Sequence, residues 1–155
     1  MLTIRQGTED DLADALRLIK ELAVYEKEPD AVVTTIETMA ADGFGEKPVY
    51  GFFLAQLDGQ TVGLSLYYDR YSTWRGRCLY LEDLIVTESH RGQGIGTALF
   101  DRMVEKAKSD GYRAMSWQCL DWNEPAIEFY KKYGTKIEEN WLSCNLEKNQ
   151  LDLER

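Results

Sequence analysis

Apolar and polar positions along the chain change period several times, and each change marks an element. Residues Leu2 to Arg5 alternate, which predicts a short first strand. Within TEDDLADALRLIKELAVYE the period becomes helical, with Leu12, Leu16, Ile19, Leu22 and Ala23 recurring every three or four positions. Thr8 stands where an N-cap is needed, and Asp11 supplies the acid of a capping box. Pro29 ends this region. TTIETMAADGFG then predicts a second helix, from a threonine cap to a stop at Gly43.

Three strands are expected next. VYGFFLAQL and TVGLSLYYDR flank Asp58-Gly59, a strong hairpin signal, and RCLYLEDLIVT follows a turn at Gly76. A glycine-rich stretch, RGQGIG, leads into TALFDRMVEKAKSDG, which places Leu99, Met103, Val104 and Ala107 on one helical face and closes at Gly111. YRAMSWQCL reads as a strand that contains Cys119. NEPAIEFYKKYG reads as a helix capped by Asn123, with proline in its first turn and Gly134 at its end. A last strand pair is predicted around KIEE and WLSCNLE, with a frayed tail, KNQLDLER. The order β-α-α-β-β-β-α-β-α-β-β implies an α/β protein whose mixed, mostly antiparallel sheet carries helices on both faces. No linker or repeat divides the chain, so one domain is expected over 1–155, its core near 3–147.

Composition narrows the classes. The 155 residues are 44% hydrophobic and 29% charged, an ordinary globular balance. No apolar run reaches the ~20 residues of a membrane span, and the first residues lack the zones of a signal peptide. Three scattered cysteines (Cys78, Cys119, Cys144) and a single histidine, His90, argue against a disulfide framework and against a zinc site. The expectation is a cytoplasmic protein without metal, in which Cys119 is a buried structural thiol. With 27 acidic against 18 basic residues the net charge is −9. Such a surface disfavours nucleic acid and either serves solubility alone or favours cationic partners.

The glycine stretch carries the chemistry. A strand, a glycine turn and a helix N-terminus together bind anions, because backbone N–H groups are unpaired there and the helix dipole adds to them. The dinucleotide pattern G-x-G-x-x-G fails, since Thr97 or Leu99 occupies its last position, and no Gly-Lys-Ser/Thr completes a P-loop. What remains is Arg91-Gly92-Gln93-Gly94-Ile95-Gly96, or a plain structural turn. This segment resembles the acyl-CoA diphosphate loop of the GNAT N-acetyltransferases. RLIKELAVYE, DGFGEKP, LYLEDLIV, RGQGIG and WNEPAIEFYKKYG, in that order from about Ile4 to Trp141, are similar to the spermidine/spermine (diamine) and thialysine N-acetyltransferases.

The resemblance implies the GNAT fold, acetyl-CoA as co-substrate, a small diamine, polyamine or thialysine-like amine as acceptor, and a homodimer. It implies that acetyl-CoA is held by Leu84, Ile85 and Val86 on the strand, by Arg91, Gly92, Gln93, Gly94, Ile95, Gly96 and Thr97 in the loop, and by Asn123, Glu124, Pro125, Ala126, Tyr130 and Lys132. It places the amine against Tyr25, Glu26, Glu82, Asp83, Ser116, Trp117, Gln118 and Glu139; Trp74, between two strands, reads as a cover for a methylene chain or a cation face. Glu82 is implied to assist deprotonation of the amine and Tyr130 to protonate the leaving thiolate. Beside these stand plainer readings. Glu82 is a sheet-edge acid paired with Arg75 or Arg77, Tyr130 packs on Phe129, Asn123 only caps its helix, and Lys131 and Lys132 are solvated charges. TKIEENW is contracted against the family pattern, and Tyr133 replaces a commonly basic residue.

Overall fold

In the computed structural model, described here for residues 1–152, the chain divides into two compact units, residues 1–118 and the residues from Cys119 onward. In the first unit five strands form one sheet in the order β1-β2-β3-β4-β5: β1 Leu2–Gln6, β2 Gly51–Leu57, β3 Gln60–Ser72, β4 Gly76–Val86 and β5 Ala114–Trp117. Neighbours β1 to β4 are antiparallel, and β4 pairs with β5 in parallel. Helices α1 (Leu12–Tyr25), α2 (Ile36–Phe44) and α3 (Ile95–Ser109) complete this unit. The mixed sheet and its meander agree with the expectation.

Alternation along the strands assigns the two faces. Phe52, Leu54, Leu64 and Ile85 pack with Leu12, Ala15 and Leu18 of α1 and Met39 of α2. On the opposite face, Arg102 of α3 lies over Phe53 at 4.5 Å and Lys106 of α3 over Tyr67 at 5.0 Å. Leu99 and Met103 of α3 are fully buried, as their spacing predicts. The β2–β3 hairpin turns through Asp58 and Gly59, at φ 50° and 85°, the left-handed pair that a two-residue turn of this kind requires.

The start of α1 follows its sequence signal. Asp11 accepts from the Thr8 N–H at 2.8 Å and hydroxyl at 2.9 Å, and Arg5 of β1 forks onto the same carboxylate with two bonds of 2.7 Å. That guanidinium holds the Asp11 carboxyl well below the usual range. The end of α1 falls within one residue of the run read from the sequence, which closes at Glu26. The helix stops two residues before Lys27, which takes φ 66°, with Lys27 N–H donating to Val24 O at 3.1 Å and Glu28 N–H to Ala23 O at 2.9 Å. This is the paired C-terminal closure usually built on glycine. Helix α2 starts at the Thr35 cap but runs past Gly43 to Phe44.

The second unit holds α4 (Glu124–Lys131) and a short turn of helix, α5 (Lys148–Leu151). The two strands expected around KIEE and WLSCNLE do not form: residues 135–147 have no regular structure. Their apolar residues do not alternate with burial, and Trp141 and Leu142 are both exposed, so there is no half-buried face for a strand to cover. The tail expected to fray is helical over Lys148–Leu151, with Glu147 N–H bonded to the Gln150 side chain at 2.8 Å; residues 153–155 lie outside the described residues. Cys119 is exposed and follows β5 by two residues, so it is neither in a strand nor buried as expected.

Ser65 on β3 is fully buried, and its hydroxyl has no hydrogen-bond partner among the described residues. Ser65→Ala should therefore leave stability unchanged or raise it by about 1 kcal/mol. Leu18→Ala, in the core beneath α1, should lose about 3 kcal/mol. Denaturant midpoints at constant slope test both.

Candidate active site

Strand β4 is irregular at one residue. Leu66 of β3 pairs with Asp83, and its neighbour Tyr67 pairs with Leu81, so Glu82 is the extra residue of a β-bulge. The bulge reverses the alternation. Leu81 shares the α3 face with Tyr67, whereas Asp83 shares the α1 face with Leu66 and Ile85. Strand β5 accompanies β4 only to the pair Leu81–Trp117. From Glu82 to Val86, β4 has a strand partner on its β3 side and none on the other among the described residues.

Around the bulge, three carboxylates gather. Glu26 caps the end of α1 and is partly buried, Asp83 is partly buried and Glu82 is exposed. Burial and then the Glu82 charge push the Glu26 carboxyl up. Burial, then Glu82, then Glu26 push Asp83 up to about 7. None of the three takes part in an ion pair among the described residues. Arg77, one of the two partners weighed for Glu82, is bonded instead to Asp69 at 2.8 Å.

Two phenols that sequence reasoning did not select complete this face. Tyr68 and Tyr80 are opposite in register with ring centroids 5.0 Å apart, and both are pushed up by burial first and by Glu82 next. Arg70 lies over the Tyr80 ring at 5.5 Å. The signal was present in the alternation of LYYDR against CLYLED, which puts both tyrosines on the acidic face.

The loop after β4 has the form of an anion cradle. A single 3-10 turn, Glu88–His90, leads to Arg91, whose Nε donates to Val86 O at 2.9 Å. Gly92 and Gly94 take φ 76° and 79°, and nothing lies within 4 Å of where a Cβ would be. Glycine is needed here for its left-handed backbone, and the space above it is open. Gly94 is the N-cap of α3 and offers no side chain, and no acid occupies the first turn. The first bond of the helix runs from Ala98 N–H to Gly94 O, which leaves the amides of Ile95, Gly96 and Thr97 without intrahelical acceptors. Bare amides at the positive end of a 15-residue helix fit a diphosphate. Leu84 and Val86 are partly buried on the open stretch of β4, and Ile85 is buried toward α1.

The remaining expected residues are placed unevenly. Ser116 pairs in register with Tyr80, while Trp117 packs its ring on Phe100 at 5.2 Å and Gln118 lies exposed beyond β5. Trp74 is exposed at the tip of the β3–β4 hairpin, and from the start of β4 at Gly76 six residues of strand, roughly 20 Å at strand rise, lead to Glu82, so the fold of one chain does not bring it to the carboxylates. In the second unit, Asn123 Oδ1 accepts from Ala126 N–H at 3.3 Å, with Glu124 and Pro125 in the same first turn. Tyr130 is buried in α4, its ring 5.2 Å from Phe129, the packing contact weighed for it. Lys131 pairs with Glu128 at 2.7 Å, Lys132 is exposed at the helix end, and Glu139 is exposed in the irregular segment.

A bulged strand, an open edge beside it and a glycine cradle at the head of the following helix make a site suited to an extended, anionic ligand. The pattern of the Acetyltransferase (GNAT) family matches residues 11–135, and the chain belongs to that family. It is an N-acetyltransferase. Among relatives, it is 43% identical over 141 residues to a thialysine N-epsilon-acetyltransferase of Bos taurus, covering 86% of this chain and 83% of that one. It is 35% identical over 148 residues to a spermidine/spermine N(1)-acetyltransferase-like protein of Homo sapiens, covering 89% of this chain and 21% of the other. In fold it is similar to an aminoglycoside N-acetyltransferase solved in complex with CoA, with TM-score 0.75, 19% identity and coverage of 94% and 95%.

Two outcomes follow. Asp83 holds its proton to about pH 7 when folded, whereas an unfolded aspartate releases it near 3.8. Folding therefore loses stability as pH rises from about 4 to about 7 and levels off above. Asp83→Asn should melt higher than the parent at pH 8, and the gap should close by pH 4. Gly94→Val, which forces a branched side chain to φ 79°, should lower coenzyme A affinity at least tenfold by titration calorimetry.

Proposed function

We propose that this chain transfers acetyl from acetyl-CoA directly to a primary amine of a small diamine, polyamine or thialysine-like substrate. The observation that carries this reading is the set of three carboxylates, Glu26, Glu82 and Asp83, gathered at the open edge of β4 with no ion-pair partner among the described residues. Acids held against their mutual repulsion gain from a dication, and each ammonium group finds its own carboxylate. The names of the relatives, thialysine and spermidine/spermine acetyltransferases, support the same acceptor class.

Acetyl-CoA supplies the acetyl group activated as a thioester. The Gly92–Thr97 cradle binds its diphosphate, and the strand edge from Leu84 to Val86 offers backbone groups to the pantetheine arm, as an added strand would take them. An amine of pKa ~10.4 is neutral in only about one molecule in a few thousand at pH 7, a deficit of ~4–5 kcal/mol that the site must offset. The exposed Glu82 carboxylate accepts that proton, directly or through water. Glu26 and Asp83, more deeply placed, bind the distal ammonium. This division limits a conflict, because a carboxylate that grips the reacting nitrogen also keeps it protonated. Tyr130 Oη holds the proton that the departing sulfur takes; a phenol near ~10 can give it to a thiolate whose acid lies near ~8.5. The family resemblance further supports a homodimer, and the three scattered cysteines support a reducing, cytoplasmic setting; no helix among the described residues is long and apolar enough to cross a membrane.

A thiol-release assay with an amine panel tests the reading. Short diamines, spermidine and thialysine should be acetylated far faster than neutral or zwitterionic amines. A preference for amino acids or aminoglycosides would refute the acceptor class, and no turnover with any amine would leave only an acyl-CoA-binding module. Glu82→Gln and Tyr130→Phe should each lower kcat by roughly 10²-fold or more while coenzyme A affinity stays within about threefold of the parent. Normal kcat in either variant with every accepted amine would remove that residue from the mechanism.

A further inference from the structure

The residue before Glu26 is Tyr25, the last of α1, and its ring faces the loop rather than the acids alone. The Arg91 guanidinium lies 4.8 Å from the Tyr25 ring centroid while its Nε donates to Val86 O at 2.9 Å. One turn earlier on α1, Glu21 accepts from the Thr87 hydroxyl at 2.9 Å, and Thr87 N–H donates to Val62 O at 2.9 Å. The last two turns of α1 are thus tied to both ends of the segment between β4 and the glycine cradle. Both rungs border a groove of about 700 Å³ along α1, lined also by Leu16, Lys20, Val24 and Glu88.

Arg91 in this arrangement is not a loose surface charge. A guanidinium has five N–H donors, and the bond to Val86 uses only Nε. The aromatic face fixes the plane of the group, and the remaining donors keep their direction while they wait for an anion. Without the ring, Arg91 regains rotamer freedom that cofactor binding must remove again. The amine-side carboxylate and the ring that steadies the cofactor loop are adjacent in sequence because α1 ends between the two sites.

We infer that Tyr25 is a positioning residue for the diphosphate loop, acting on coenzyme A affinity through Arg91, rather than only a contact for the amine. This rests on the loop reading above and goes beyond the role that the resemblance implies for Tyr25. The π face performs the task, so the phenol hydroxyl is dispensable for it.

The test is titration of coenzyme A by calorimetry with no amine present, so that any contact of Tyr25 with the acceptor cannot contribute. Tyr25→Leu should raise Kd by about five- to tenfold, and Tyr25→Phe and Tyr25→Trp, which keep a π face, should stay within about twofold of the parent. In an Arg91→Gln background, Tyr25→Leu should add less than about twofold, because its partner is gone. Equal losses from Tyr25→Leu in both backgrounds would overturn the inference, as would a Phe variant as weak as Leu or an unchanged Kd for Leu. The aromatic variants guard against misfolding as the cause, since they retain the bulk at this position. A parent chain that failed to bind coenzyme A would overturn the loop reading itself, and this inference with it.

Discussion

One inserted residue in β4 governs the site. Without Glu82 as a bulge, Leu81 and Asp83 would point to the same face, and Asp83 would enter the apolar layer under α3 with Tyr67. With it, the strand can be apolar toward α3 as far as Leu81 and then present an acid and Ile85 toward α1. Strand β5 also ends its pairing at Leu81, where the change of face begins. A sheet that would otherwise close with main-chain bonds is left with an unused row of them next to three acids. Bulges commonly re-aim a side chain and terminate pairing together, and here both effects fall at the same residue.

Electrostatics divides along the same line. The protein as a whole repels anions, with a net charge of −9, yet the head of α3 is stripped of acids and of any side-chain cap. A long helix with vacant amides makes a local exception at no cost in basic residues. On the other side of the strand the acids are left with neighbours of their own sign. The two regions flanking this strand therefore differ in the sign of their charge.

Much of this was legible in the residues, and the failures have physical reasons. The hairpin at Asp58-Gly59, the Thr8–Asp11 box, the Thr35 and Asn123 caps and the glycine loop all rest on local chemistry, which a sequence displays. Helix α1 closes ahead of Pro29 because Lys27 adopts the left-handed closing position without being glycine. The strands expected after Gly134 were to complete the sheet, and such runs form strands only where a half-buried face exists. The bulge was invisible because two acids in a row read equally well as a strand end. Trp74 was read as a cover for the amine from its aromatic face and its place between two strands. Its place at a hairpin tip depends on how long β3 and β4 run, which no local pattern specifies.

The parallel pair β4–β5 also has a bearing on how the protein assembles. Cys78 and Ala114 are partners although thirty-six positions apart, while the β3–β4 hairpin closes over Ser72 and Gly76. Meander contacts are local and form early, whereas a crossover connection must close a long loop before it is rewarded. The crossover contains the cradle and α3. An early chain thus holds β4 with its outer edge bare, a template for wrong partners. The bare edge beyond Leu81 in the finished fold is the remainder of a longer one, which the arrival of α3 and β5 shortens.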